Sequence, residues 1–400
     1  MSANKPVVLQ LIKGLDIGGI NGGAERFSVD LSQQLMGLGY EVILCAFFKT
    51  GTELERHWLE KIQSAGIQVF FAAPWQGNAR YGNYHKGIKI LSSFLADHPV
   101  DILHSHFQLG TMAAIHSKRK HHVPVALRTA HNVSEWERNL SGRIKNQVFS
   151  KFYYPLHLDA EVGVSQAVVD QMSGYVGNKI TGKKPHLIYN GFPVSLNIPR
   201  SDELPGNSDQ FTIGCVGRLS TQKGVVYLIR AMPAVLAACP GARLLLIGDG
   251  ELRPELEAET ALLNLSDRIV FTGQIANVPE YLSRLDLFVS SSLWEGLPTA
   301  ILEAIDAHVP VVATDIPGTR EIISRDENGW LVPPGDPNAL ANLIIEAIQS
   351  PGKRKRFSDN AAKSIMKFSI EGIAQEYDRL YQSLLKEKSS SRQPRKNRDA

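Results

Sequence analysis

Two carboxylates flank a sharp turn in the segment SSLWEGLPTAILEA, residues 291–304. Glu295 follows the apolar run LDLFVSSS, which is typical of a buried strand, and Pro298 suits the first turn of a helix. Glu303 then falls about a turn and a half into the helix TAILEAIDA. Both side chains could accept hydrogen bonds from sugar hydroxyls, although an isolated Glu303 would equally suit a solvated helix surface.

Two cations occupy a second loop between a strand and a helix. In VGRLSTQKGVVYLI, Arg218 and Lys223 follow an apolar strand. Arginine contacts phosphate with two prongs and lysine adds a point charge, so the pair predicts a diphosphate clamp, unless both are merely solvated. Together with Glu295, Glu303 and the helix N–H groups that follow Pro298, they indicate a site for a nucleotide sugar.

Glycines in the first βα turn, GLDIGGINGGAERF, form a third candidate loop, in which Gly22 and Gly23 stand at a helix start. Free N–H groups there could face a phosphate, and tight packing is the alternative explanation. The chain lacks both G-x-G-x-x-G and the Walker pattern, so NAD and P-loop chemistry lose their main support. It also lacks an Asp-x-Asp triplet and ligand-type histidine spacing, so we expect no metal and no cofactor beyond the co-substrate.

The elements that must position these residues alternate strand with helix in both halves. Predicted strands are VVLQLI, EVILCAFF, IQVFFA, DILHSHF, PVALRTA, AEVGVS and HLIYNG, then FTIGCVGR, ARLLLIGDG, RIVFTGQ, LDLFVSSS and VPVVATD. Continuous apolar strands between helices predict parallel sheets covered on both faces. We therefore predict an α/β protein of two doubly wound, Rossmann-like domains facing a central cleft, with ligands beyond the carboxyl ends of the strands.

The predicted domains are residues 1–195 and 211–367, joined by a linker over 196–210 and followed by a terminal helix over 368–386. Residues 387–400 read as a disordered basic tail. The chain carries a net charge of +3, and the basic residues of its last segment, KEKSSSRQPRKNRDA, account for that excess. A globally basic nucleic-acid binder is therefore unsupported.

Several sequence features bear on location. No apolar run approaches the roughly 18–20 residues of a membrane span, and MSANKPVVLQLIKGLD lacks the regions of a signal peptide. The three cysteines have neither metal-type nor redox spacing. We expect a cytoplasmic protein. The basic and aromatic stretches HSKRKHH (116–122) and RIKNQVFSKFYYP (143–155) leave two alternatives open, a peripheral membrane contact or an ordinary solvated face.

Six segments taken together resemble the family 4 retaining glycosyltransferases of GT-B fold: GGAERF, VGRLSTQKG, LLIGDGE, SSLWEGLPTAILEA, VVATDIPGTREII and GWLVPPGD. The likeness spans about residues 7–385. It implies metal-independent transfer of a sugar from a nucleotide-diphosphate sugar to a hydroxyl of a glycan or lipid-linked acceptor, with retained configuration. A nucleotide-sugar epimerase or hydrolase on the same fold, or a non-catalytic nucleotide-sugar binder, is the alternative.

The resemblance also implies roles for particular residues. Arg218 and Lys223 match the diphosphate-binding pair, Glu295 matches the contact to the donor sugar, and His131 matches a histidine that lines the sugar site; these four are the predicted catalytic residues. Glu303 matches the ribose contact. The remaining predicted donor-binding residues are Gly22, Gly23, Gln274, Ile275, Gly296, Leu297, Pro298 and Thr299. His106 and Asn132 are predicted on the acceptor side, although a structural role suits His106 too, and FSIEGIAQEYDRLYQSLL matches a terminal helix that returns to the first domain.

Overall fold

A computed structural model describes residues 5–18, 22–75, 80–132, 140–195, 210–275 and 277–392 of the 400-residue chain. The chain forms two compact units, here called unit 1 (Met1–Phe192 with Ile370–Ala400) and unit 2 (Pro193–Ser369). All but the last residue of the predicted linker, 196–210, lies outside the described ranges.

Unit 1 contains a sheet of seven parallel strands in the order β3-β2-β1-β4-β5-β6-β7. The strands are β1 (Val7–Ile12), β2 (Glu41–Lys49), β3 (Gln68–Pro74), β4 (Ile102–Ser105), β5 (Val125–Ala130), β6 (Ala160–Gly163) and β7 (His186–Leu187). All seven were predicted. Along β1, Leu9 and Leu11 join one core cluster, whereas Val8 and Ile12 join clusters on the opposite face. Both faces are therefore covered, as the continuous apolar pattern requires.

Helices of unit 1 follow the strands in alternation. They are α1 (Gly23–Gly37), α2 (Glu53–Ser64), α3 (Arg80–Asp97), α4 (Gln108–His121), α5 (Leu140–Lys145), α6 (Tyr154–His157), α7 (Gln166–Ser173) and α8 (Val176–Thr181). A π-helical segment, Asn146–Tyr153, joins α5 to α6.

Unit 2 contains six parallel strands in the order β10-β9-β8-β11-β12-β13. They are β8 (Phe211–Val216), β9 (Ala242–Ile247), β10 (Ile269–Gly273), β11 (Leu287–Ser290), β12 (Val311–Thr314) and β13 (Trp330–Val332). Five were predicted; β13 was missed because its apolar run is only three residues long. Its helices are α9 (Val225–Ala238), α10 (Arg253–Leu262), α11 (Val278–Leu282), α12 (Thr299–Asp306), α13 (Pro317–Arg320), α14 (Pro337–Gln349) and α15 (Pro351–Ser364).

The last helix, α16 (Ile370–Arg392), belongs to unit 1. Its buried residues Ile373, Tyr377 and Tyr381 join the core cluster formed with α1 and the strands. The helix continues through residues 387–392, which the sequence analysis assigned to a disordered tail. Lys388 explains the correction, because its Nζ pairs with Asp159 Oδ1 at 2.7 Å and ties the final turns to unit 1.

Among the residues that the structure describes, no helix combines the length and apolar character needed to cross a bilayer.

Candidate active site

The order of the unit 2 sheet reverses between β8 and β11, and a crevice opens at such a point beyond the carboxyl ends of the strands. The loop after β8 carries Arg218 and Lys223, and the loop after β11 carries Glu295. The sequence-predicted cations and the first carboxylate therefore emerge from the two strands on either side of the reversal.

The β8 loop reaches β11 through a glycine that no other residue could easily replace. Gly224 lies in the left-handed region at φ 57°, and a Cβ atom there would be 2.4 Å from the carbonyl oxygen of Ser291. The Ser291 hydroxyl donates to the Lys223 carbonyl at 2.9 Å, and the Leu293 N–H donates to the Gln222 carbonyl at 2.8 Å. These contacts fix the backbone from which Lys223 projects.

Glu295 is buried, with 8% of its side chain exposed, and accepts three hydrogen bonds. Oε1 receives Lys223 Nζ at 2.6 Å and Ser292 Oγ at 2.8 Å, while Oε2 receives Gln222 Nε2 at 2.9 Å. Donors on both oxygens, one of them an ammonium group, hold the carboxylate in a single orientation.

Lys223 and Glu295 were predicted to contact separate partners, a diphosphate and a sugar, whereas in the structure the two side chains contact each other. Gln222 and Ser292 were not predicted. The available signal was positional: Gln222 directly precedes the cation, and Ser292 stands three residues before the carboxylate.

Contacts from the end of β12 and from α13 support the turn that follows Glu295. Thr314 donates its hydroxyl hydrogen to the Ser292 carbonyl at 2.6 Å, and a Cβ atom on Gly318 would lie 2.4 Å from the carbonyl oxygen of Gly296. Leu297 and Pro298 are buried in this turn. Helix α12 begins at Thr299, so Pro298 is the N-cap, one residue earlier than the first-turn position expected, and its side chain makes no capping hydrogen bond.

The other predicted donor-binding residues of unit 2 occupy the same edge of the sheet or the helix beside it. Arg218 is exposed, two residues beyond the end of β8, and Glu303 is half-buried on α12. Gln274 is exposed and Ile275 half-buried directly after β10. Arg218 and Glu303 therefore lie on the predicted loop and helix, and the roles of all four residues stay predictions.

Unit 1 presents an equivalent edge, with the reversal between β1 and β4. Gly22 is the N-cap of α1, and Gly23 is its first residue; the Gly22 N–H donates to Glu25 Oε2 at 2.9 Å. An incoming phosphate would therefore have to compete with the Glu25 carboxylate for this donor. Asn132 is half-buried just beyond β5.

A chain of hydrogen bonds runs through the histidines at this edge. His131 Nε2 lies 3.0 Å from His106 Nδ1, and His106 Nε2 lies 2.6 Å from Gln10 Oε1 on β1. Two atoms near the His131 end, His131 Nδ1 and Asn190 Oδ1, are buried without a hydrogen-bond partner in the described part of the chain. At the other end, Gln10 Nε2 is buried and unpartnered as well.

Two arrangements of protons suit this series of hydrogen bonds, since a neutral imidazole donates at one nitrogen and accepts at the other. If Gln10 accepts from His106, then His106 accepts from His131 and leaves His131 Nδ1 as an acceptor. If Gln10 turns its amide and donates, both rings reverse and His131 Nδ1 becomes a donor. Gln10 and His106 therefore determine the face of His131 that is offered to a ligand.

A second chain joins the same strands to α16. His104 Nδ1 lies 2.6 Å from the Tyr381 hydroxyl, and His104 Nε2 lies 2.8 Å from Thr129 Oγ1, which lies 2.7 Å from the Tyr377 hydroxyl. His104 is buried between these partners. Its two partners, hydroxyls from β5 and α16, assign it a structural role.

His104 and His106 are buried and His131 is half-buried, and removal of the rings from solvent keeps all three neutral. Loss of solvent lowers the pKa of His104 and of His131 to about 3, and it lowers the pKa of His106 well below the usual value. Neighbouring histidines lower the pKa of His104 and His106 further.

Two family descriptions match the chain in tandem. "Glycosyltransferase Family 4" matches residues 21–196, and "Glycosyl transferases group 1" matches residues 200–364. The first match falls almost wholly in unit 1 and the second in unit 2. The chain belongs to the group 1, family 4 glycosyltransferases, whose GT-B fold its two doubly wound sheets display.

Individual relatives agree with this class. MJ1059, an uncharacterized glycosyltransferase of Methanocaldococcus jannaschii, is 32% identical over 44% of this chain and 51% of its own length. The chain spans about half the length of the curated relatives that it matches first. The lipopolysaccharide core biosynthesis glycosyltransferase LpsE of Rhizobium meliloti is 26% identical over 91% of this chain and 97% of its own.

The fold has solved counterparts. Anabaena HepE, crystallised in complex with UDP and glucose, superposes with a TM-score of 0.77 at 22% identity, over 94% of this chain and 100% of HepE. This similarity shows that the architecture is shared.

Proposed function

We propose that the chain transfers a sugar from a nucleotide-diphosphate sugar to a hydroxyl of a glycan or lipid-linked acceptor, with the anomeric configuration retained. The Lys223–Glu295 pair at the strand reversal of unit 2 carries the proposal. An ammonium group has three donors, and Glu295 occupies one of those of Lys223. Two donors are left for phosphate oxygens, and the exposed guanidinium of Arg218 on the same loop suits a bidentate contact.

The names of the relatives supply the substrate class. HepE was crystallised with UDP, and the name of LpsE refers to lipopolysaccharide core synthesis. We extend a nucleotide-diphosphate donor and a role in glycan assembly to this chain on that basis.

The reaction that we propose is a front-face substitution. The bond between the anomeric carbon and the phosphate oxygen breaks, the acceptor oxygen bonds to the same face, and the acceptor proton passes to the leaving phosphate. Lys223, Arg218 and the first N–H groups of α12 would stabilise the charge that grows on the diphosphate. Glu295 would orient the sugar and would not attack the anomeric carbon, because its two oxygens already accept three hydrogen bonds.

The low pKa of His131 favours transfer of the acceptor proton to the leaving phosphate over general-base catalysis by His131. A base works best when its pKa lies near the working pH, and the pKa of His131 is lowered to about 3. We therefore give His131 a hydrogen-bonding role in the transfer step, and the leaving phosphate takes the proton.

Calorimetry tests the donor site directly. UDP, GDP and ADP, and their sugar conjugates, would be titrated without metal into the parent chain, Lys223→Ala and Glu303→Ala. Binding of one nucleotide, weakened in both variants, is expected; Lys355→Ala, a surface change on α15 of the same unit, is the control. No binding of any nucleotide would contradict the proposal.

Product analysis separates the remaining alternatives. Donor consumption that requires an acceptor, with the sugar bonded in the donor's anomeric configuration, is expected by NMR. Donor loss without an acceptor would identify a hydrolase or epimerase, and binding without turnover would identify a sensor. We also expect full activity in chelator, and strict dependence on Mg²⁺ or Mn²⁺ would contradict that part.

A further inference from the structure

Unit 1 bears a row of large apolar side chains that face solvent. Ile144, Val148 and Phe152 are 56%, 49% and 46% exposed, and Val176 and Ile180 on α8 are 54% and 62% exposed. These five residues, here called the apolar ridge, make up half of the large apolar residues exposed in the described part of the chain. Exposed apolar groups that cluster in this way mark interaction surfaces.

Helix geometry places the members of the ridge side by side. Ile144, Val148 and Phe152 recur every four residues through α5 and the π-helical segment, so they share one face. Helix α8 packs against this segment at Gly177, where a Cβ atom would lie 2.7 Å from the Phe152 carbonyl oxygen and 2.8 Å from Pro155 Cβ. Val176 and Ile180 flank that contact, again four residues apart. Their part in the ridge was not foreseen from the sequence.

The two stretches of sequence that carry the ridge have basic and no acidic residues. Residues 140–158 and 171–199 contain no aspartate or glutamate. Lys151 lies on the π-helical segment, and Lys179 and Lys184 are exposed on and just after α8. Arg119 Nη2 lies 3.1 Å from His157 Nδ1, which joins the basic end of α4 to the end of α6.

Two carboxylates that follow the first of these stretches, Asp159 and Glu161, are already paired inside unit 1. Asp159 pairs with Lys118 and Lys388, and Arg128 Nε donates to Glu161 Oε1 at 2.7 Å. They therefore do little to offset the lysines that flank the ridge.

We propose that the apolar ridge docks on an anionic lipid surface, with its apolar side chains in the boundary between headgroups and acyl chains and its lysines at the phosphates. Helices that lie in this boundary combine large apolar residues with basic ones on the flanks. Long lysine side chains let the charge stay at headgroup level while the stem covers apolar surface. An acidic protein partner is the rival occupant, and the experiment below excludes it or reveals it. The proposal does not depend on the reaction that the chain catalyses.

Vesicle sedimentation of the full chain provides the test. Vesicles of phosphatidylcholine alone and of phosphatidylcholine mixed with phosphatidylglycerol would be compared at low and physiological salt. We expect binding to the anionic vesicles, weakened by salt. The Val148→Ser/Phe152→Ser double variant should bind about tenfold more weakly or worse. Lys151→Gln and Lys179→Gln should each weaken binding about fivefold at low salt.

Matched controls guard against general surface effects. Leu262→Ser changes a side chain that is 78% exposed on α10 of unit 2, and Lys89→Gln changes an exposed lysine on α3; neither should alter sedimentation. Thermal unfolding must be unchanged in every variant. Failure of the parent to bind anionic vesicles at low salt would overturn the proposal, as would a double variant that binds like the parent. Self-association or protein capture that the double variant abolishes, without vesicle binding, would show a protein interface instead.

Discussion

The two sheets place their polar residues at equivalent edges but treat charge in opposite ways. Unit 2 retains a charged pair, Lys223 with Glu295, on loops beyond β8 and β11. Unit 1 fills the corresponding region with imidazoles that burial keeps neutral. The same topology therefore carries a charged pair at one edge and neutral hydrogen-bonding groups at the other. The difference arises because a buried charged group persists only beside an opposite charge. A buried imidazole without an acidic neighbour loses its proton.

Acidification is expected to have the largest effect, because it should destabilise unit 1 and not unit 2. The folded pKa of His104 and His131 is about 3 and the unfolded value is 6.5, so the unfolded state binds more protons between these values. The stabilisation is complete above pH 6.5 and is lost as the pH falls toward 3. From pH 7 to 5 the loss is on the order of 2 kcal/mol for each of the two histidines.

Hydrogen exchange resolves this effect by unit. Protection factors in β4 and β5 should fall between pH 7 and 5, while those in β8 and β11 should hold, because the one histidine of unit 2, His308, is exposed. His131→Asn should reduce the pH dependence, and His98→Asn, an exposed change on unit 1, should not. Equal losses of protection in both units would contradict the proposed difference in how the two units respond to pH.

Removing a cation of unit 2 should cost turnover. Lys223→Ala and Arg218→Ala are each expected to lower turnover on the order of 10²–10³ with saturating donor, because the leaving diphosphate loses a partner. Initial rates with the sugar acceptor provide the measurement, and Lys355→Ala is the matched surface control. An Arg218→Ala chain with turnover near that of the parent would remove Arg218 from the mechanism.

Breaking the histidine chain of unit 1 should affect the transfer and spare nucleotide binding. Gln10→Met removes the partner of His106 at nearly constant volume, so His131 loses its fixed orientation, and turnover should fall roughly ten- to a hundredfold. Calorimetric affinity for the nucleotide should stay at the parent value, since Arg218 and Lys223, the proposed diphosphate clamp, lie in unit 2. Gln63→Met, an exposed change on α2, is the control. A nucleotide affinity that fell with turnover would deny this division of labour.

The smallest effect is expected at α16. Tyr381→Phe removes the hydroxyl that bonds to His104 at 2.6 Å and should cost about 1 kcal/mol of unfolding free energy. Urea unfolding followed by the exchange of α16 amides measures the loss. Tyr281→Phe, a half-buried position of unit 2, should be neutral. No change at Tyr381 would mean that water replaces the hydroxyl without cost.

The strands and the loops that carry charge could be predicted because their signals are local. Apolar runs between helices identified twelve of the strands, and the charged residues that follow β8 and β11 were identified as site candidates. The Gly-Leu-Pro turn located Glu295 at the end of its strand. The three-residue β13 has too short a pattern for this method.

Side-chain pairing could not be predicted because it depends on contacts between distant segments. Glu295 and Gln222 are 73 positions apart, and His104 and Tyr381 are 277 apart. Nothing in a single stretch of sequence states that these atoms meet. The helical extent of residues 387–392 was missed for the same reason, since Lys388 is held by Asp159.

The connection at the end of unit 1 constrains how the protein is made. The Ile370 N–H donates to the Phe192 carbonyl at 3.0 Å, so the chain leaves unit 1 and re-enters it at one point, with all of unit 2 in between. A ribosome therefore completes unit 2 before it delivers α16. Until then His104 and Thr129 lack their tyrosine hydroxyls, and the apolar face that α16 covers is open. During synthesis unit 1 is therefore begun first and completed last, because it lacks α16 until unit 2 has been made. Chaperones would meet unit 1 without this helix.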